Sequence, residues 1–300
     1  MTRIALLDGG MGQELLKRSS RPPSPLWSAQ VMLDEPAIVE DVHLAYIEAG
    51  ARIITLNAYT ATPERLARDA DASLFEPLQR AAIAAAERAR ARSGRQVRIA
   101  GCLPPLVASY LADVAPDDET ALATYRRIVT MQADAVDLFL CETMPSVRLA
   151  RAAATAAVES GKPVWLSLTI TDDTSATLRS GEPLGDALAQ LGDCGAQAFL
   201  LNCSKPEAID AAWPVMARQD RPVGAYANGF TSIETLKPGG TVASLEARHD
   251  LGPEQYAAFA MNWVRNGARV VGGCCEVGPA HIAELARQLA QAGLEITGEP

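Results

Sequence analysis

Three cysteines open the most specific chemistry in this chain. Cys203 closes a nearly continuous apolar run, and Cys274 and Cys275 stand side by side after Gly272-Gly273. Thiolates suit a compact tetrahedral zinc site, with bonds of about 2.3 Å. Adjacent residues of a regular strand face opposite ways, so Cys274 and Cys275 can share one ion only where the chain leaves strand geometry. The two glycines before them permit that turn. Three sulfurs leave a fourth position open, which marks a catalytic site rather than a structural one. Plainer readings compete. A lone cysteine at a strand end is often a buried small hydrophobe, and that reading is assigned to Cys102, Cys141 and Cys194. Cys274 and Cys275 are also open to a vicinal disulfide or redox pairing.

Polar groups recur where other apolar runs stop: Asp8, Asn57, Glu142 and Asn228. A carboxylate ending an apolar strand is costly to bury without a partner. For Glu142 that partner is a ligand ammonium, or Arg148 or Arg151 on the following helix. Asp8 is either a ligand group or a cap for the Gly9-Gly10 turn. Trp27 and Tyr59 are candidates to face a cationic ligand, or else they pack in loops. His43 and His281 read as helix-face residues, and His249 sits in a charged loop.

These residues need a scaffold that gathers them. Eight short β-branched runs are visible: Ile4–Asp8, Arg52–Asn57, Val97–Cys102, Val136–Glu142, Val164–Ile170, Ala198–Cys203, Val223–Ala227 and Arg269–Gly273. Near-continuous apolar character suits strands buried on both faces. Helical stretches alternate with them: Pro36–Ala49, Leu78–Arg92, Asp118–Met131, Pro145–Glu159, Glu182–Gly192, Glu207–Ala217, Pro253–Asn266 and Pro279–Ala290. Gly50, Gly161, Gly195 and Gly267 are placed as helix stops. Eight strand–helix units in 300 residues predict a single-domain α/β (β/α)₈ TIM barrel over residues 1–300, ahead of a doubly wound sheet. Barrel active sites gather at the C-terminal ends of the strands. The sixth and eighth strands are separated by one strand there, within reach for Cys203 and the Cys274–Cys275 pair. Segments 16–35, 103–117 and 228–252 are expected to be long loops.

Net charge is −9, with no Lys/Arg cluster, which argues against nucleic acid as a partner. No run reaches membrane-spanning length, and the first apolar run is too short for a signal peptide. A cytoplasmic protein with six reduced cysteines is expected.

The chain resembles the homocysteine S-methyltransferase family, which includes S-methylmethionine-, betaine- and cobalamin-linked enzymes. The resemblance runs nearly end to end. It is carried by Leu7-Asp8-Gly9-Gly10-Met11-Gly12, Pro25-Leu26-Trp27-Ser28-Ala29, Val42-His43 with Tyr46 and Ala49-Gly50, and Ile53-Ile54-Thr55-Leu56-Asn57-Ala58-Tyr59. It continues through Glu142-Thr143-Met144-Pro145, Asn202-Cys203-Ser204 and Gly272-Gly273-Cys274-Cys275-Glu276, the last being the most specific. The resemblance implies a (β/α)₈ barrel, a Zn²⁺ cofactor on Cys203, Cys274 and Cys275, and homocysteine as the methyl acceptor. It also implies that Asp8, Gly9 and Glu142 bind the acceptor's amino-acid end, with Asn57, Tyr59 and Asn228 as further substrate-binding positions. Three features depart from the usual pattern: Gly101-Cys102-Leu103-Pro104-Pro105, Ala227-Asn228-Gly229-Phe230, and Leu56. The partners expected are small molecules, homocysteine and a sulfonium or quaternary ammonium donor, with S-methylmethionine favoured. The rival readings are a non-catalytic zinc- or thiol-binding barrel, and a barrel lyase or hydrolase using Asp8 and Glu142.

Overall fold

Each of the eight apolar runs forms a strand. A computed structural model describes residues 2–21, 26, 28–233, 236 and 245–300. The strands are β1 (Arg3–Leu6), β2 (Ile53–Thr55), β3 (Arg98–Leu103), β4 (Leu138–Met144), β5 (Val164–Leu168), β6 (Ala198–Asn202), β7 (Val223–Tyr226) and β8 (Val270–Val271). They pair in parallel from β2 through to β8 and then β1. The ring closes where Leu7 bridges Ile53, and the Asp8 amide donates to the Ile53 carbonyl at 3.0 Å. The (β/α)₈ barrel predicted by the sequence is the fold.

Period-two alternation explains the packing. One face of the strands turns inward: Ala5, Leu7, Ile53, Ala100, Leu138, Leu140, Trp165, Ala198, Leu200, Tyr226 and Val270 fill the barrel. The other face, with Ile4, Leu6, Ile54, Phe139, Leu166, Phe199 and Leu201, packs under the helices.

The helices are α1 (Met11–Arg18), α2 (Ser28–Asp34), α3 (Pro36–Ala49), α4 (Pro63–Asp69), α5 (Phe75–Ser93), α6 (Asp118–Gln132), α7 (Val147–Val158), α8 (Leu184–Gln190), α9 (Pro206–Met216), α10 (Pro253–Arg265) and α11 (Pro279–Gln291). Proline opens α3, α9, α10 and α11, where its missing N–H costs nothing. Gly50 takes the left-handed conformation at the end of α3, with φ 117°, as a helix stop requires.

Three features differ from the sequence reading. Segment 16–35 is not a loop throughout: α1 runs into it and α2 occupies much of its second half. Both helices are short, and the prolines at 22, 23 and 25 carried a loop signal over their flanks. A ninth strand, β9 (Glu295–Thr297), pairs in parallel with Arg3, Ile4 and Ala5 of β1. Its Glu-Ile-Thr sequence has no apolar run to announce it. The carbonyl of Gly298 then accepts from Arg98 at 3.0 Å, tying the C-terminal segment to the start of β3. No helix among the described residues is long and apolar enough to cross a membrane.

Candidate metal centre

Two residues beyond the inward-facing apolar layer, the same face carries Thr55, Cys102, Glu142, Ser167 and Asn202. The sequence thus sets a polar floor directly under the C-terminal mouth. Above it lies a cavity lined by Asp8, Asn57, Tyr59, Tyr110, Glu142, Cys203, Cys274 and Cys275, among others.

The three thiols meet there. Their sulfurs lie within 4.8 Å of one another and form a group able to hold a metal ion. β8 ends at Val271, and Cys275-Glu276 forms a turn in which the Val277 amide donates to the Cys274 carbonyl at 3.1 Å. Cys274 and Cys275 thereby escape strand alternation. Gly10 permits this approach, because a Cβ there would lie 2.6 Å from the Cys274 carbonyl oxygen. Cys203 leaves β6 in a left-handed conformation, φ 48°, and brings its Sγ to 3.8 Å from that of Cys275. Two sulfurs of a tetrahedral zinc site stand about 3.8 Å apart, from bonds of about 2.3 Å, so the pair already has the required spacing. The Tyr110 hydroxyl lies 2.9 Å from Cys203 Sγ. Hydrogen bonds from the Cys274 and Cys275 thiols draw the Cys203 thiol well below its ordinary range.

Asp8 and Glu142 face the same cavity. Asp8 accepts from the Thr55 amide at 2.8 Å and the Thr55 hydroxyl at 3.3 Å, so it spans the β1–β2 closure rather than capping the Gly9-Gly10 turn. Burial nonetheless pushes its carboxyl up to about 8, with the charge of Glu142 adding to the rise. Burial likewise raises Glu142 to about 7, partly offset by a hydrogen bond from the Cys102 thiol at 3.0 Å. Neither expected arginine reaches Glu142: Arg148 pairs with Asp118 and Arg151 with Asp193.

A bulge aims Glu142. The β4–β5 register shifts between Cys141 and Met144, and Thr143 adopts φ 58°. Asn202, at the end of β6 two strands along, holds this conformation: its Oδ1 accepts from the Thr143 amide and the Ser167 hydroxyl, and its Nδ2 donates to Thr143 Oγ1, at 2.7 to 2.8 Å. Asn202→Ala strands these buried groups. It is expected to lower unfolding free energy by roughly 3 kcal/mol, as measured by denaturant titration.

The remaining sequence candidates divide. Gly9 lines the cavity and packs too closely on Val277 for a side chain. Asn57 lines it while its amide donates to the Ser28 carbonyl at 3.2 Å. Tyr59 lines it with its hydroxyl 2.9 Å from Ser109, but the Arg65 guanidinium lies 5.3 Å from the ring centroid, so one face already meets a cation. Asn228 does not line the cavity. It is buried, and its Oδ1 accepts from the Phe230 amide at 3.2 Å. Trp27 lies outside the described residues. His43 is wholly buried, more enclosed than a helix-face residue.

Comparison with known proteins adds a decisive match: the homocysteine S-methyltransferase family profile covers residues 5–289. The chain belongs to the homocysteine S-methyltransferase family. It is accordingly a methyltransferase. Homocysteine S-methyltransferase of Escherichia coli is 31% identical, the alignment covering 94% of each chain. Selenocysteine methyltransferase of Astragalus bisulcatus is 28% identical over 92% of this chain and 90% of the relative. Among solved structures, the metallated form of the E. coli homocysteine methyltransferase MmuM superposes with a TM-score of 0.79 at 29% identity, covering 95% of this chain and 96% of that one.

Within this homocysteine S-methyltransferase family fold, four residues around the site were given no role there by the sequence reading. Thr55 and Asn202 end apolar strands and were visible as polar stops. Tyr110 lies in the long 103–117 segment, where no periodicity fixes orientation. Cys102 was assigned to packing, yet its thiol meets Glu142.

Proposed function

We propose that residues 1–300 act as one homocysteine-binding barrel that transfers a methyl group from a sulfonium or quaternary ammonium donor, S-methylmethionine first, to the thiolate of homocysteine. The observation that carries this reading is the convergence of Cys203, Cys274 and Cys275 on one wall of a cavity that also holds Asp8 and Glu142. Zinc on the three cysteines would supply deprotonation of an acceptor thiol at neutral pH.

The chain's own residues do the rest. Asp8 and Glu142 receive the acceptor's ammonium group, whose positive charge stabilises their ionised forms against burial. Gly9 offers backbone at a point where no side chain intrudes. Phe230, Leu236 and Leu245 line the same cavity and exclude water. The acceptor sulfur's electron pair forms the new S–CH₃ bond, and the donor's bond to that methyl breaks with its pair returning to the donor. Opposite charges cancel in this step, so positioning contributes more than proton transfer. An acid–base reaction run by Asp8 and Glu142 leaves the converging thiols without a role. A site built on three thiolates needs its cysteines kept reduced, which suits a cytoplasmic location.

The test is a donor panel with zinc-loaded protein and homocysteine, scored by methionine formation. S-methylmethionine is expected to give the fastest turnover. A chelator is expected to abolish it and added zinc to restore it. Failure of every sulfonium and ammonium donor with metal-loaded, folded protein overturns the reading.

A further inference from the structure

Glu142 is about nine-tenths buried at the polar floor of the cavity, and its Oε1 accepts from the Cys102 thiol at 3.0 Å. Neither Arg148 nor Arg151 reaches it. Its placement depends on what holds it when no ammonium is bound.

Cys102 is itself held unusually well. It is buried at the end of β3, beyond the point where the shorter β2 offers a ladder partner. Its amide instead donates to the side-chain carbonyl of Gln132 at 2.9 Å. The Gln132 amide donates to Gln79 at 2.8 Å, and Gln79 donates to the Ala61 carbonyl at 2.9 Å. Both glutamines are fully buried. A chain of buried amides is strongly geometry-dependent, because each unsatisfied member is costly. This chain runs from the outer helices to one backbone amide, and that residue's side chain meets a cavity carboxylate.

We propose that Cys102 is a positioning residue for acceptor binding: its thiol, fixed by the Gln79–Gln132 relay, donates to Glu142 and holds that carboxylate facing the acceptor's ammonium. The inference rests on the proposed acceptor role of Glu142. It gives the departure at residues 101–105 a function. It also separates Cys102 from the metal-binding thiols, since Cys102 acts on the acceptor's amino-acid end and leaves the reacting sulfur untouched.

The test compares Cys102→Ala with Cys102→Ser in zinc-loaded protein. Ala removes the donor; Ser keeps an O–H donor in its place. Ala is expected to raise KM for homocysteine about tenfold, the worth of one hydrogen bond to a charged group, with kcat and metal content within twofold of wild type. Ser is expected to recover most of that loss. A merely structural thiol predicts no advantage of Ser over Ala. If Ala does not fold, Cys102→Val gives the donor-free contrast at closer volume. Calorimetric titration of homocysteine provides the same comparison without turnover. Equal homocysteine affinity in wild type and the donor-free variant overturns the inference, even where wild type forms methionine. Loss of metal or of kcat in Ala, with KM unchanged, also overturns it. Absence of methionine from the wild type overturns the methyltransfer reading instead, and the calorimetric comparison still decides the role of Cys102.

Discussion

Replacing Cys203, Cys274 or Cys275 singly by Ser is expected to empty the metal site and reduce methyl transfer by about three-thousandfold. Two losses combine. An ordinary thiol, with a pKa of about 8.5, is only a few per cent ionised at neutral pH, so losing its activation costs roughly thirtyfold. Losing the anchor for the acceptor sulfur misplaces the nucleophile, and such misplacement costs on the order of a hundredfold. The backbone at all three positions is set independently of the thiols. The Cys203 amide donates to the Tyr226 carbonyl at 3.2 Å, the Cys274 amide to the Ala227 carbonyl at 2.9 Å, and the Cys275 carbonyl accepts from the Gly229 amide at 2.8 Å. Serine therefore leaves the barrel folded while removing a sulfur ligand. Elemental analysis should fall from about one metal per chain towards none, with the thermal transition of the metal-free protein unchanged. A variant that keeps full metal and full transfer removes its residue from the ligand set.

The sequence made much of the barrel legible, because parallel strands buried on both faces leave apolar runs that few alternatives explain. The convergence of Cys203 with Cys274 and Cys275 was legible for a related reason. Once the strands are ordered around a ring, position along the chain becomes position around the mouth. What stayed hidden is whatever breaks strict alternation. Thr143 at φ 58° shifts the register just past the apolar run of β4, and only its contact with Asn202, two strands along on β6, reveals why. β9 is too short and too polar to announce itself. Tyr110 reaches Cys203 from a segment without periodicity, and Cys102 carries its function through a thiol that composition assigns to packing. Each of these depends on a contact between distant parts of the chain, which local pattern does not encode.

Glu142→Gln separates the roles of this carboxylate in function and stability. On the proposed role of Glu142, removing its negative charge deprives the acceptor's ammonium of a buried ionic partner, a change that commonly costs about 2–5 kcal/mol. KM for homocysteine is expected to rise about a hundredfold, with metal content unchanged. Stability is expected to move the other way. Burial raises the Glu142 carboxyl from 4.5 to about 7, so the folded protein holds that proton more tightly than the unfolded chain. The resulting contribution is full below about pH 4.5 and is lost as pH rises through about 7. By pH 8 the ionised, unliganded carboxylate costs roughly 3 kcal/mol, which glutamine does not incur. Ligand-free Glu142→Gln should therefore melt several degrees higher than wild type at pH 8 and nearly with it at pH 4. Because Glu142 also raises Asp8, its neutralisation should let Asp8 ionise at lower pH. Thermal melts across this range, paired with homocysteine titrations, test both effects. If Gln lowers stability at pH 8 while acceptor affinity is unchanged, Glu142 is a structural group whose burial has some other compensation. If affinity falls as stability rises, the carboxylate is kept at a cost to the empty barrel that the bound ammonium offsets.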